Sequence, residues 1–134
     1  SYYKSVWKSA VKVWNRSGVV KLVATSGKAN ITLSNSNSPM GNNDSTVGIT
    51  YSSYYNNKSL NGLAVMASAK SYVFTNVANR YHYSKSERTN VAEHELGHAL
   101  GLEHNVGKHS VMYYATREQS VSKPDVNGLV HSYR

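Results

Sequence analysis

The amino-acid sequence predicts an α+β fold, in which one amphipathic helix, a series of short strands and a longer helix follow one another. The first observation is the helical spacing of apolar residues over residues 3–14, which stops at Ser17-Gly18. The second is a run of short β-branched or alternating segments over residues 19–77. The third is a capping-box sequence at residues 84–87, which can begin a helix with a buried apolar face.

Five segments are predicted to be strands, because each is short, apolar or alternating, and bounded by turn residues. They are Val19–Ala24, Ala29–Leu33, Val47–Tyr51 (as a short edge strand), Leu63–Ala67 and Ser71–Val77. Residues 34–45 are predicted to be an exposed polar loop. Asp44 and its neighbouring asparagines could bind Ca²⁺, but such clusters are more often turns, and the spacing is not that of an EF-hand.

The length and composition of the chain limit the number of domains that it can form. A chain of 134 residues is enough for one domain with a core, and with no linker or repeat we expect a single domain over residues 1–134. No apolar run approaches the roughly 20 residues that cross a bilayer. The chain begins at Ser1 without a signal-peptide pattern, so we expect a signal or pro-segment to be absent from it. Without cysteine it has no disulfide or thiolate site, and the redox compartment stays open.

The net charge of +8 allows two interpretations. One is solubility, and the other is attraction to an anionic cell envelope, a nucleic acid or an acidic substrate. We favour solubility and predict no nucleic-acid partner, because no basic motif with interleaved aromatic residues is present. A row of Lys4, Lys8, Lys12 and Arg16 follows one face of the first helix. Such a row is usually the solvated side of an amphipathic helix, and a docking surface is the alternative.

Three histidines have the spacing of a catalytic metal site. His94 and His98 are four residues apart, so on a helix they lie on the same face and can bind one metal ion together. Glu95 lies beside them, close enough to handle the proton of a metal-bound water. Gly101 lets the chain leave the helix and return with His104 as a third ligand. Three neutral imidazoles and one open position describe a catalytic zinc site, whereas a structural zinc site is normally closed by a fourth protein ligand.

The histidine motif belongs to a longer pattern. It has the form HExxHxxGxxH over residues 94–104, and Met112 follows within Ser110–Tyr114. This pattern resembles the metzincin clan of zinc peptidases, whose signature is completed by a later Met-turn. Within that clan the chain is most like a compact bacterial matrixin-type protease. Residues 124–129 resemble the start of the last matrixin helix, whose aspartate, here Asp125, helps to tie that helix to the Met-turn region in the family.

The resemblance implies a zincin-like fold with a mixed, twisted sheet of about four to five strands and three helices. An edge strand would lie over the active-site cleft. The upper part of the domain would comprise about residues 1–101 and a short lower part about residues 102–134. Gly97 lies inside the zinc-binding helix, and a close backbone approach to the sheet would explain its presence there.

Three departures from the family matter. The family usually has a strand before the first helix, and nothing before Tyr2 can supply it. The histidine clusters that hold a structural zinc in vertebrate matrixins are missing, so only one Zn²⁺ is expected. Tyr114 lies two residues after Met112, where matrixins usually have proline after Met-Tyr. By resemblance to astacins and serralysins Tyr114 could ligate zinc and support the transition state, or it could be a wall of the substrate pocket.

The function implied by the resemblance is that of a secreted, monomeric zinc endopeptidase acting on protein or peptide substrates. Glu95 would be the general base for a zinc-activated water, and Met112 would be an apolar floor beneath the imidazoles. An extended peptide would pair with the edge strand. His82 and His109 are not expected to bind zinc. The alternatives are a non-catalytic, zinc-stabilised module that binds the cell envelope and a peptidase of narrow, self-processing specificity.

Overall fold

The computed structural model describes residues 2–39, 45–60, 63–115 and 117–133, and in residues 56–60 and 63–65 it describes the backbone alone. The hypothetical calcium site at Asp44 lies outside the described residues. The elements in chain order are α1 (Tyr2–Asn15), β1 (Ile31–Ser36), β2 (Gly48–Leu60), β3 (Leu63–Phe74), α2 (Thr75–Arg80), α3 (Lys85–Ala99) and α4 (Lys123–Tyr133).

The first helix has the two faces that its sequence predicts. Its buried residues are Tyr3, Val6, Trp7, Ala10 and Trp14, and the basic row of Lys4, Lys8, Lys12 and Arg16 is exposed. The buried face packs against α3 and contacts β1, in one hydrophobic core that also includes residues of β3. The indole Nε1 of Trp14 donates a hydrogen bond of 2.9 Å to the backbone carbonyl of Glu93. The deepest residue of α1 is therefore fixed to α3, one residue before the first of the three motif histidines.

Residues 19–24 do not form the predicted strand. The side-chain amide of Asn15 accepts a hydrogen bond from the backbone N–H of Leu22 (2.7 Å) and donates one to its carbonyl (3.0 Å). A local side chain thus satisfies backbone groups that a strand would pair with a neighbour. The β-branched composition of the segment indicated a strand, but its partner is the end of α1.

The sheet has three strands among the described residues, in the order β1-β3-β2. β3 pairs in parallel with β1 and antiparallel with β2, so the sheet is mixed. β3 is one continuous strand where the sequence predicted two segments, and β2 extends well beyond the predicted edge strand Val47–Tyr51. Ala69, Ser71 and Val73 are buried and alternate with less buried neighbours, which places one face of β3 against the helices.

The segment predicted as the strand Ser71–Val77 changes structure at its midpoint. β3 ends at Phe74 and the short helix α2 begins at Thr75, so the described residues contain four helices, one more than expected. The capping box at the start of α3 is confirmed. The Ser84 hydroxyl accepts from the N–H of Glu87 and the Glu87 carboxylate accepts from the N–H of Ser84. None of the helices in the described ranges is long and apolar enough to cross a membrane.

Gly97 allows other parts of the chain to approach the backbone of α3 closely. The neighbours found there are side chains and not the sheet that was predicted. A Cβ at this position would lie 2.4 Å from the sulfur of Met112 and 3.0 Å from Cζ2 of Trp14. The prediction of a close approach to the sheet was therefore wrong about the partner. Met112 and Trp14 are both buried. The Met-turn methionine packs into the space that a side chain at position 97 would occupy.

We expect Gly97→Ala to lower the free energy of unfolding by up to about 2 kcal/mol. Forcing a methyl group into this packed site costs about 1–3 kcal/mol, whereas alanine gains about 1 kcal/mol over glycine in a helix. Urea denaturation of the metal-free protein measures the difference. Gly128→Ala in α4 is the matched control, because a Cβ there would meet only Cδ2 of Leu102 at 3.3 Å. Equal effects of both changes would contradict the packing argument.

Candidate metal centre

The three motif histidines converge on one point. His94 and His98 lie on α3 and His104 lies five residues beyond its end, yet one ring nitrogen from each lies within 4.8 Å of the others. The ring centroids are 4.8 Å, 5.2 Å and 4.9 Å apart. Within the described ranges, these three histidines form the group of His, Asp or Glu side chains that could hold a metal ion.

Two backbone carbonyls orient the rings on α3. Nδ1 of His94 lies 2.6 Å from the carbonyl oxygen of Val111, and Nδ1 of His98 lies 2.8 Å from that of Leu102. A carbonyl oxygen can only accept, so each Nδ1 carries the proton and each neutral ring presents a bare Nε2. This is the outer contact that metal-binding histidines usually make.

The two bare nitrogens face each other at 3.1 Å. Two acceptors at that distance repel unless a proton or a cation lies between them. Nitrogens bound at tetrahedral angles to one Zn²⁺, each at about 2.0–2.1 Å, are roughly 3.4 Å apart. The donor set and its spacing therefore fit zinc.

A helix-terminating turn brings the third ring into place. Gly101 has φ +97°, a backbone conformation that side chains disfavour. The N–H of Leu102 donates to the carbonyl of Gly97 (3.0 Å) and the N–H of Gly101 to that of His98 (2.9 Å), which is the Schellman pattern. The turn presents the Leu102 carbonyl to His98 and directs the next residues back toward the two rings on α3. The role predicted for Gly101 is confirmed.

The segment after His104 is tied to the Met-turn. The N–H of Asn105 donates to the carbonyl of Met112 at 2.8 Å, and Asn105 forms an isolated β-bridge with Tyr113. Met112 is 1% exposed and packs beneath α3 at Gly97. These contacts fit the predicted role of an apolar support below the imidazoles.

Asp125 links α4 to the same region. Its buried carboxylate accepts hydrogen bonds from the Ser110 hydroxyl and from the N–H of Val111 (3.0 Å). It also accepts from the N–H (2.9 Å) and the hydroxyl (3.0 Å) of Ser122. The contact expected from the family resemblance is present. Because the carbonyl of Val111 accepts from His94, Asp125 is linked to a candidate metal-binding ring through the backbone of Val111.

Glu95 is buried beside the histidines, with a side chain held by the edge strand. Its Oε1 accepts a hydrogen bond of 2.8 Å from the hydroxyl of Thr50. Burial is the dominant influence and raises the pKa of the Glu95 carboxyl from 4.5 to about 7, against the opposing effect of the Thr50 hydrogen bond. A carboxyl with this pKa can take and release a proton at neutral pH.

The histidines on α3 are held in the form that binds metal. Burial lowers the pKa of His94 from 6.5 to about 4, and the hydrogen bond to Val111 opposes this only in part. Burial also lowers the pKa of His98. Both rings are therefore neutral at pH 7, and metal ligands must be deprotonated.

The three rings and Glu95 line an open cleft of about 740 Å³. One wall is the chain from Ser45 into the first half of β2, the base is α3, and residues 101–104 with Tyr114 form the opposite side. β2 is an edge strand of the three-stranded sheet, as predicted. Tyr114 lies at the cleft with its side chain 71% exposed. His82 and His109 are exposed and are not in the metal-binding group.

Sequence reasoning missed the residues that support the site from outside the motif. Thr50 and Ser71 are ordinary strand formers, so nothing in their spacing signals a contact with Glu95. Glu93 is 2% exposed and accepts from the Ser120 hydroxyl (2.5 Å) and the Val121 N–H (2.9 Å). The available signal for Glu93 was an acidic residue that shares a helix face with Leu96 and Leu100.

We expect Glu95→Gln to make the metal-free protein more stable than wild type at pH 8. The unfolded carboxyl ionises near 4.5 and the folded one near 7, so the wild-type free energy of unfolding loses about 3 kcal/mol as pH rises through this interval. Glutamine has no such loss, so the stability difference grows from pH 4.5 to pH 7 and is constant above.

Urea denaturation of zinc-stripped protein across pH 4.5–8 measures this difference. Comparing two variants cancels the contribution of His94, whose lowered pKa acts in the opposite direction and costs stability as pH falls below 6.5. Exposed Glu118→Gln is the control and should show no growing difference. A difference that stays flat for Glu95→Gln would contradict the prediction.

Comparison with known proteins agrees with this geometry. A family model described as Matrixin, of peptidase family M10, matches residues 1–134. A search of curated proteins finds no match. The match covers the whole chain, including the first helix and the sheet as well as the histidine motif. Matrixins are zinc enzymes, and the three histidines could hold that ion. The chain therefore belongs to the matrixin family of zinc metalloendopeptidases.

Proposed function

We propose that this chain hydrolyses peptide bonds in protein or peptide substrates, with Glu95 as the general base. The observation that carries the proposal is the convergence of three imidazoles and one buried carboxyl on a single open cleft. His94, His98 and His104 would hold the zinc ion. When bound, zinc acts as a Lewis acid that lowers the pKa of water toward about 7 and polarises a carbonyl.

Glu95 has the properties of the proton carrier. Its Oε1 is committed to the Thr50 hydroxyl, so Oε2 is the atom proposed to accept the proton of the attacking water. The same carboxyl then delivers that proton to the leaving amine. In the metal-free protein, burial raises the pKa of this carboxyl to about 7, so that it can hold a proton near neutral pH.

The cleft suggests how a peptide would bind. We propose that an extended substrate lies between an upper part, about residues 1–101, and a lower part, about residues 102–134. The outer edge of β2 lies along one wall, and its backbone groups can pair with a peptide strand. The three candidate zinc ligands and Glu95 lie in one copy of the chain, and we propose that it acts as a monomer.

Matrixins are generally secreted or extracellular. We propose the same location for this chain, and a bacterial origin on the likeness of its motif to compact bacterial matrixins. The exposed basic row of α1 and the net charge of +8 support contact with an anionic cell envelope as a secondary property of the enzyme.

We expect Glu95→Gln to lower kcat by about 10²–10⁴-fold, because general-base catalysis contributes that much. Zinc content, measured by atomic absorption, should stay at wild-type level. Turnover of casein or a quenched fluorescent peptide library measures the effect, with Glu118→Gln as the matched control. A chelator should abolish the wild-type activity. Wild-type turnover by Glu95→Gln would refute the proposed base, and zinc binding without any turnover by the wild type would support the non-catalytic alternative.

We expect Tyr114→Phe to keep kcat within about threefold of wild type and Tyr114→Ala to raise KM. We propose that Tyr114 is a wall of the cleft, because its side chain is 71% exposed and its ring lies 4.9 Å from that of Tyr113. Steady-state kinetics on one peptide separates the roles. A loss of kcat above about tenfold in Tyr114→Phe would assign its hydroxyl to the oxyanion instead.

A further inference from the structure

We propose that Thr50 is a positioning residue for catalysis, and that its hydroxyl holds the Glu95 carboxylate in the orientation needed for proton transfer. This inference rests on the proposed function of Glu95. It assigns to the edge strand β2 a part in catalysis, in addition to the binding of a peptide backbone.

The contacts around Thr50 form a small hydrogen-bonded network. Its Oγ1 lies 2.8 Å from Oε1 of Glu95, 2.9 Å from the backbone carbonyl oxygen of Glu95 and 2.8 Å from Oγ of Ser71. Oγ of Ser71 lies 3.2 Å from the same carbonyl oxygen. Thr50 and Ser71 are directly paired in the register of β2 and β3, which places both hydroxyls on the face of the sheet toward α3.

Counting protons assigns the donors. Each hydroxyl has one proton, and both a carbonyl and a carboxylate oxygen can only accept. Ser71 can donate to the carbonyl of Glu95 or to Oγ1 of Thr50, and in either case the proton of Thr50 is free for Oε1 of Glu95. Because hydrogen bonds to an ionised acceptor are about twice as strong as neutral ones, the carboxylate is its preferred partner.

Gly48 leaves room for the carboxylate of Glu95. It lies two residues before Thr50 on the same strand, so the two positions share a face. A Cβ on Gly48 would lie 2.9 Å from Cγ and 3.1 Å from Oε2 of Glu95. The strand therefore supplies empty space for one carboxylate oxygen and a hydroxyl donor for the other.

The orientation of Glu95 thus depends on one side chain outside its own helix. In the described residues, the Thr50 hydroxyl is the group found donating to the carboxylate. Replacing this hydroxyl by a methyl group leaves Oε1 without a donor and frees the carboxylate to rotate. Loss of a group that orients a catalytic residue typically costs about 10–100-fold in activity.

The test compares wild type with Thr50→Val and Thr50→Ser. We expect Thr50→Val to lower kcat by about 10–100-fold with KM within about threefold, and Thr50→Ser to recover most of the loss because it restores the donor. The zinc dissociation constant should be unchanged in both, because neither Thr50 nor Glu95 is among the three candidate ligands. Thr32→Val, an exposed change on β1 at the other edge of the sheet, is the matched control. Thr50→Ala replaces Thr50→Val if the latter does not fold.

Two further measurements distinguish positioning from a structural effect. In a Glu95→Gln background, Thr50→Val should reduce the residual turnover by less than about threefold, since the group that it orients is gone. A crystal structure of Thr50→Val should have the Glu95 carboxylate turned away from its wild-type position. An equal loss in both backgrounds, an unmoved carboxylate, or failure of Thr50→Ser to recover activity would each overturn the proposal.

The same variants distinguish failure of the proposed role of Glu95 from failure of the proposed role of Thr50. If Glu95→Gln alone turns over like wild type, Glu95 is not the base, and the Thr50 proposal falls with it. If Glu95→Gln is inactive while Thr50→Val keeps wild-type kcat, the base stands and only the positioning role is refuted.

Discussion

The arrangement of the metal centre depends on the backbone of Val111. Its carbonyl accepts a hydrogen bond from Nδ1 of His94, and its N–H donates to the carboxylate of Asp125. The carbonyl thus sets the tautomer and direction of a ring on α3, and the N–H is fixed by α4. A displacement of the Met-turn would turn His94 away from His98 even if α3 stayed intact.

The buried carboxyls of the site differ in the number of hydrogen bonds that they accept. Asp125 accepts from two backbone N–H groups and two serine hydroxyls, and Glu93 accepts from one of each. Glu95 has only the Thr50 hydroxyl among the described contacts. Asp125 and Glu93 anchor the chain after the Met-turn. The sparsely supported Glu95 is the one whose burial can place its pKa near neutrality.

The parts of this molecule that local chemistry determines could be predicted from the sequence. The spacing of His94 and His98, the capping box at Ser84 and the turn at Gly101 each depend on a few neighbouring residues. Segments predicted as strands from their composition were predicted less well, because composition does not show whether a neighbouring strand is available to pair with them. Residues 19–24 have strand composition but lie against Asn15, and the second half of Ser71–Val77 enters a helix. Thr50 could not be identified, because its role appears only when two strands and a helix come together.

Through the edge strand β2, substrate binding would be coupled to the orientation of Glu95. The strand proposed to receive the substrate backbone also carries the hydroxyl that seats the base. Under that binding mode, pulling or twisting of the strand by a badly aligned peptide is transmitted to the carboxylate within about 3 Å. The enzyme would then reject a poorly fitting chain by misaligning its own catalytic base.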